Sequence, residues 1–243
     1  EDGNWGTVAS TEKLGTIEGS VTLGKNTTVK GNATLTADDN IAIGNNSVIT
    51  GNTAADGVVN AGSQISLGDG TQVLGNTATN AGKAVINLAD NQTMYIGSGV
   101  VLSDNTSNGV SGSVRAGQNT QINVYTDAAA YTFINDGIAT GSSVAPAADA
   151  APRAADQTVM TKTGAGTLVY GGTGATDTFG GTYRQLEGNL IIGHSTFGPA
   201  DASTGRVGEL QSIGSAVMGT DTTVYDIQAG QVTLAQDSTI RGA

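Results

Sequence analysis

Four stretches of this chain read VTLGKNTTVKGN (residues 21–32), IAIGNNSVITGN (41–52), ISLGDGTQVLGN (65–76) and MYIGSGVVLSDN (94–105). Aligned on the first glycine, they place Gly24, Gly44, Gly68 and Gly97 in one column. Asn32, Asn52, Asn76 and Asn105, each eight residues later, form another. Apolar residues recur three and one positions before the glycine, as in Val21 and Leu23 or Ile65 and Leu67, and again five after it, as in Val29 and Val73. This is the period of two of a strand, broken by a turn and resumed. The glycines, whose backbone accepts the angles a corner needs, stand 20, 24 and 29 residues apart. One coil alone has no partner for its apolar face; coils stacked at the strand spacing of ~4.8 Å share one continuous core. The repeat therefore predicts an all-β parallel solenoid, clearest over residues 20–112, and about ten or eleven coils of ~22 residues if the whole chain follows it.

The asparagine column has two readings. Stacked amides can form a ladder that runs along the axis, each satisfying the next; alternatively the side chains face outward to bind. The ladder is the preferred reading. An echo, VTLAQDSTIRGA (232–243), keeps the apolar spacing with Ala235 and Ala243 in place of Gly and Asn, so a further coil is expected to begin where the sequence stops. Between Asn105 and Val232 the register weakens, although SVRAGQNTQINVYTD still reads as a turn between alternating strands. Residues 136–157 carry Pro146 and Pro152 among small side chains and read as a loop extruded from a single unit spanning 1–243; an interdomain linker is the alternative. If that loop binds, Ser142, Asp149 and Arg153 are its candidate contacts.

Composition narrows the function classes. Glycine contributes 37 residues, and Gly, Thr and Val disfavour long helices. Whole-chain disorder is opposed by apolar residues at 37%, arranged in short clusters such as Ile41-Ala42-Ile43. There is no cysteine, hence no disulfide and no thiolate metal site. A net charge of -11 with scattered Lys and Arg argues against nucleic acid and anionic membrane as partners. No apolar run approaches the ~20 residues of a membrane span.

A further segment, TKTGAGTLVYGGTGATDTFGGTYRQLEGNLIIG (161–193), places Gly164 and Gly166 before Thr167-Leu168-Val169-Tyr170, then Gly181-Thr182-Tyr183, then Glu187-Gly188 before Asn189 to Ile192. It resembles the passenger-associated strand repeat of Gram-negative autotransporters, which reads approximately K-x-G-x-G-T-L-x-L-x-G, an aromatic-Gly-Gly-Thr element, then G-x-L. It departs at Tyr170, Tyr183 and Asn189. Together with the Asn-ended coils, the chain resembles the passenger of a self-associating autotransporter adhesin. The resemblance implies a right-handed parallel β-helix exported through the outer membrane to the cell surface, without cofactor. It also implies aggregation and biofilm formation through homotypic contacts with copies on neighbouring cells, or attachment to a host surface protein or glycan.

Catalytic signals are weak. There is no G-x-S-x-G elbow, and the single histidine, His194, is followed by Ser195, whose side chain in a strand points to the opposite face. A β-helical polysaccharide-degrading enzyme needs two or three acids in a groove, and Asp38, Asp39, Asp149, Asp201 and Asp226 have no gathering spacing. Asp38-Asp39-Asn40, Asp69-Gly70 and Asp104-Asn105 are read as turns, not calcium sites. Gly171-Gly172-Thr173-Gly174 lacks the Lys and helix of a phosphate cradle. Tyr125, Tyr131 and Phe133 are expected to pack or staple the loop base, with a carbohydrate-stacking face as the alternative. The chain is read as a binding protein, not a catalyst.

Overall fold

The computed structural model describes residues 7–9, 17–110, 112–140, 158–171, 178–179, 182–192, 196–197, 210–218, 223–225, 227–234 and 239–241. Among these there is no helix; the chain is all β, built from short strands that pair only in parallel. After β1 (Thr7–Ala9) the first coil runs β2 (Val21–Leu23), β3 (Thr28–Lys30), β4 (Leu35–Ala37). The second runs β5 (Asn40–Ile43), β6 (Val48–Thr50), β7 (Thr53–Ala54), β8 (Val59–Ala61), and the third β9 (Gln64–Leu67), β10 (Gln72–Leu74), β11 (Thr77–Ala78), β12 (Ile86–Leu88). The fourth is β13 (Thr93–Ile96), β14 (Val101–Ser103), β15 (Val114–Ala116), and the fifth β16 (Gln121–Tyr125), β17 (Tyr131–Ile134), β18 (Ile138–Thr140). Beyond it lie β19 (Val159–Thr163), β20 (Thr167–Tyr170), β21 (Thr178–Phe179), β22 (Thr182–Gln185), β23 (Asn189–Ile192) and β24 (Thr196–Phe197). The last strands are β25 (Leu210–Met218), β26 (Thr223–Tyr225), β27 (Ile227–Leu234) and β28 (Thr239–Arg241).

Equivalent strands of successive coils lie side by side in three stacks. The first is β2-β5-β9-β13-β16-β19-β22, continued by the leading halves of β25 and β27. The second is β1-β3-β6-β10-β14-β17-β20-β23, continued by their trailing halves, ten levels in all. The third is β4-β8-β12-β15-β18, with β21 lying against β18 and leading on to β24, β26 and β28. Stacks of parallel strands in this arrangement are consistent with a β-solenoid.

Alternation fills the interior with columns. Val21, Ile41, Ile65, Met94, Ile122, Met160 and Tyr183 lie in register in the first stack and are all buried. Leu35, Val59, Ile86, Val114 and Ile138 do the same in the third. Columns from all three stacks meet in one apolar cluster, so each added coil extends an existing core.

The glycine column is real, but its cause differs from the sequence expectation. None of Gly24, Gly44, Gly68 and Gly97 has a positive φ. The left-handed residue stands two places on, at Asn26 (60°), Asn46 (56°), Gly70 (68°) and Gly99 (71°), residue types that tolerate that region. The column glycines are needed for close approach. A Cβ on Gly44 would lie 2.5 Å from the Gly24 carbonyl carbon, and one on Gly68 2.7 Å from the Asn45 nitrogen. Hydroxyls close the same corner: Thr27 and Ser47 each donate to the carbonyl of the glycine three residues back, at 2.7 Å.

Three further expectations are corrected. Within the segment 136–157 expected as loop, Ile138–Thr140 is strand: β18 pairs with β15 through Val114 and Ile138, after the turn at Asp136 and Gly137 (φ 77°) returns the chain to the third stack; residues 141–157 lie outside the described residues. The register holds after Asn105 through β22, since β16, β19 and β22 pair without a shift, and it slips only between Ser212 and Ser215, where β25 pairs with β27, among the described residues. The C-terminal echo sits one stack further along than the repeat it mimics. Val232–Leu234 pairs in the second stack, because β25 and β27 run through both stacks as single strands without the intervening corner.

Substituting Gly44→Ala is expected to lower stability by about 2 kcal/mol through steric overpacking against the neighbouring coil. Gly51→Ala, at φ 62° with open space around the added carbon, is expected to cost about 1 kcal/mol from backbone strain alone. Chemical denaturation of the two variants measures the difference.

Candidate functional site

Three of the four predicted column asparagines form an internal ladder. The Asn52 Nδ2 donates to Asn76 Oδ1 at 2.9 Å, and the Asn76 Nδ2 to Asn105 Oδ1 at 3.0 Å. Each oxygen also accepts the backbone N–H of the residue below, at 3.1 Å in both cases. The second amide proton goes to a carbonyl of the preceding coil, Val29 from Asn52, Ile49 from Asn76 and Val73 from Asn105. Asn52 and Asn76 are fully buried, and a buried amide with its donors and acceptor satisfied holds the corner instead of facing a partner.

Asn32 is not in this ladder. Gly31 (φ 81°) and Asn32 (φ 65°) are both left-handed, which lengthens the first corner by one residue. Ala33 takes the ladder position, its N–H donating to Asn52 Oδ1 at 3.0 Å, while Asn32 is exposed and accepts from the Thr53 N–H. At the other end the ladder finishes on a residue the sequence alignment missed. Asp136 Oδ2 accepts the Asn105 N–H at 3.2 Å and the Asn105 Nδ2 at 2.7 Å. The available signal was Asn135-Asp136 directly following the strand Tyr131–Ile134, but that coil has no opening glycine to align on. Burial raises the Asp136 carboxyl above its usual range, against the lowering effect of the Asn105 hydrogen bonds.

The segment 161–193 contributes an interior cation. Val124, Lys162 and Gln185 follow Ile96 in one inward column, so polar groups replace the apolar ones of earlier levels. The Lys162 side chain is fully buried. Its ammonium donates to the carbonyls of Thr163 (2.9 Å), Gly164 (2.6 Å) and Glu187 (3.2 Å), using all three of its protons. The Glu187 carboxylate accepts the Gly164 N–H at 3.1 Å. Burial lowers Lys162 to about 8, partly opposed by the Glu187 charge. Gly164, Gly166 and Gly188 leave room for this plug and for the adjacent coils: an added Cβ would meet the carbonyls of Thr126, Asp127 and Gly166 respectively.

The outer surface is organised in rows. Along the first stack, Thr22, Ala42, Ser66, Tyr95, Asn123, Thr161 and Arg184 stand in register between inward neighbours. Beside them runs a corner column in which Asn45 Oδ1 accepts the Asp69 N–H (3.0 Å) and Asp69 Oδ1 the Ser98 N–H (2.9 Å). Tyr125 and Tyr131, expected to pack inside, are exposed at 49% and 51%, and Tyr95 at 46%. Strand phase is the reason: Ile122 and Val124 occupy the inward positions of β16, and Thr132 and Ile134 those of β17. Tyr131 and Phe133 stack outside, with ring centres 6.0 Å apart. The Tyr125 hydroxyl is shifted upward, first by its hydrogen bond to Asp127 and then by that carboxylate's charge. Among the described residues, the aromatic side chains that do fill the core are Tyr170 and Tyr183.

Ser142, Asp149 and Arg153, together with His194, Ser195, Asp201 and Asp226, lie outside the described residues. Among the described residues no three His, Cys, Asp or Glu side chains gather as a metal site. No protein-family model, no curated protein and no solved structure matches the chain.

Two substitutions probe the interior polar groups. Asp136→Asn removes a buried charge while keeping the ladder acceptor, so it is expected to stabilise by about 1 kcal/mol at pH 7. The native carboxyl titrates above the unfolded one, so its cost is present at neutral pH and relieved as pH falls; thermal melts should find the gap between the two proteins closing as the pH is lowered through the carboxylate range. For Lys162, the unfolded amine titrates at 10.5 and the folded one at about 8. The unfolded state binds more protons between these values, so this group makes stability rise as pH increases from 8 toward 10. That increment should be missing in Lys162→Met.

Proposed function

We propose that this chain is a stretch of a right-handed parallel β-helix, exported to the surface of a Gram-negative cell, where it acts as a non-catalytic adhesin by pairing with copies on neighbouring cells. The observation that carries the reading is the unbroken register of the first stack, which turns single outward residues into a straight polar row. Right-handed connection is the rule for parallel strands joined by crossovers, and the three inward faces share one core. The segment 161–193, with its buried Lys162, adds the resemblance to autotransporter passengers.

The mechanism is avidity. Each hydrogen bond across a facing row is worth about 1 kcal/mol net, and repetition along the axis and over many copies multiplies weak contacts into firm attachment. Tyr95 and Tyr125 stand in or beside this row. They offer rigid amphipathic contact area at low entropic cost. A rod whose interior polar groups are already saturated presents these rows without rearrangement, so little of the contact energy is spent on ordering.

Charge placed in the row tests this. With the chain displayed on cells, Ser66→Asp, Tyr95→Asp and Asn123→Asp combined are expected to abolish clumping while the circular dichroism spectrum and melting temperature of the purified protein stay unchanged. Normal clumping by the folded triple variant, or no clumping by the parent chain, rejects the reading.

A further inference from the structure

Asparagine is thermolabile because the backbone nitrogen of the next residue can attack its side-chain carboxamide. The corners of this molecule are rich in asparagine, yet the stack keeps the attacking group occupied. The N–H after Asn32 belongs to Ala33 and donates to Asn52 Oδ1, and the N–H after Asn52 belongs to Thr53 and donates to Asn32 Oδ1, both at 3.0 Å. The N–H groups after Asn45, Asn76 and Asn105 donate to the carbonyls of Asp69 (2.7 Å), Asn52 (2.8 Å) and Asn76 (2.8 Å). The pairing between coils that builds these corners therefore also shields them.

Asn108 stands outside that protection. It is followed by Gly109, in the one Asn-Gly step of the sequence. Both residues are exposed, and among the described residues the Gly109 N–H makes no hydrogen bond. Gly109 has no Cβ to hinder approach to its nitrogen, and its φ of 69° is held without strain.

Asn108 also ties neighbouring coils together. It forms an isolated antiparallel bridge with Lys83. Its N–H donates to the Lys83 carbonyl at 3.1 Å, its carbonyl accepts the Gly82 N–H at 2.8 Å, and its Nδ2 donates to the Thr79 carbonyl at 2.6 Å. These bonds clip the segment after β11 to the segment after β14. Only the Thr79 bond restrains the carboxamide, and one hydrogen bond at an exposed site slows a motion that must break it by about fivefold.

We infer that Asn108-Gly109 is a self-modification site, at which the chain converts its own asparagine to aspartate and isoaspartate and so loosens the clip between these coils. The Gly109 nitrogen bonds to Asn108 Cγ as the Cγ–Nδ2 bond breaks, and ammonia leaves with the proton that the Gly109 nitrogen gives up. Water then opens the cyclic imide, its hydroxyl going to a ring carbonyl carbon and its proton to the ring nitrogen. Opening at Cγ gives aspartate; opening at the main-chain carbonyl gives isoaspartate. Water is the only co-reactant, and nothing is oxidised or reduced. Either product replaces the donor to the Thr79 carbonyl with a carboxylate, which that oxygen repels. Isoaspartate also lengthens the main chain by a methylene and displaces the carbonyl that accepts from Gly82. The net charge of -11 becomes one unit more negative. The site lies apart from the row assigned to self-association and is independent of that reading.

The test is peptide mapping by mass spectrometry of the whole chain aged in mildly alkaline buffer, once folded and once in urea, with isoaspartate counted by enzymatic methyl transfer. Folded, Asn108 is expected to convert no more than about tenfold more slowly than in urea, since one surface hydrogen bond restrains it. Asn32, Asn45, Asn52, Asn76 and Asn105 should stay intact over the same period. Asn108→Gln should remove the isoaspartate signal. In the aged protein and in Asn108→Asp, hydrogen exchange at the Gly82 amide should quicken about fivefold or more, the effect of one lost hydrogen bond. Four results overturn the inference: an Asn108 that is stable in the folded chain while converting in urea, a corner asparagine that converts as fast, isoaspartate persisting in N108Q, or unchanged Gly82 exchange after conversion.

Discussion

Backbone hydrogen bonding between consecutive coils is the constraint from which the rest follows. Gly44 donates to the Leu23 carbonyl at 3.0 Å, Gly68 to Ile43 at 2.8 Å and Gly97 to Leu67 at 2.9 Å, and the strands on either side continue the pattern. Parallel pairing of this kind superposes like positions, and a slip of one residue would turn every inward side chain outward. Length changes are therefore absorbed in the connections. The segment between β11 and β12 and the segment between β14 and β15 differ in length yet both enter the third stack in register.

Because positions superpose, chemistry changes along columns and not within coils, and the informative places are where a column changes type. Inside the first stack, Leu23, Ile43, Leu67, Ile96 and Val124 give way to Lys162 and Gln185, whose polar groups bond to backbone carbonyls. The amide ladder begins on the Ala33 N–H and ends on the Asp136 carboxylate. On the outer third face a satisfied row ends on Arg115. Each terminus is a polar group whose neighbour on one side no longer matches it. Inside the molecule Lys162 and Asp136 were answered by local carbonyls and amides; the Arg115 Nε was not.

This division separates stability from binding. The corner asparagines and hydroxyls have their hydrogen bonds within the stack, which leaves them no capacity for a partner. The outward residues of the strands carry the exposed groups: Tyr95, Tyr125 and Tyr131 add aromatic surface to a polar face, and Lys83 and Arg115 add charge to another. The paired strands hold both sets at fixed spacing.

Much of the architecture was legible in the sequence because its cause is local. Alternation of apolar residues set which side chains face inward, and recurrence of Gly and Asn at constant offsets marked corners that stack. The ladder through Asn52, Asn76 and Asn105 followed from the same spacing. Other features depend on distances between coils that no spacing encodes. Only the assembled stack decided that Gly44 and Gly68 serve close approach and not turn angles, since the atoms they make room for belong to another coil. It also decided that Ala33 displaces Asn32 from the ladder and that Asp136 completes it, because one extra left-handed residue shifts a corner without changing the strands around it. Exposure of Tyr125 and Tyr131 was decided by the phase of strands whose inward positions other residues had filled. That the Arg115 Nε is buried without a partner was likewise decided by the stack and not by any spacing. Sequence alone determined the period, because alternation and corners act within one coil; tertiary structure decided the contacts, because each of them is made between residues tens of positions apart.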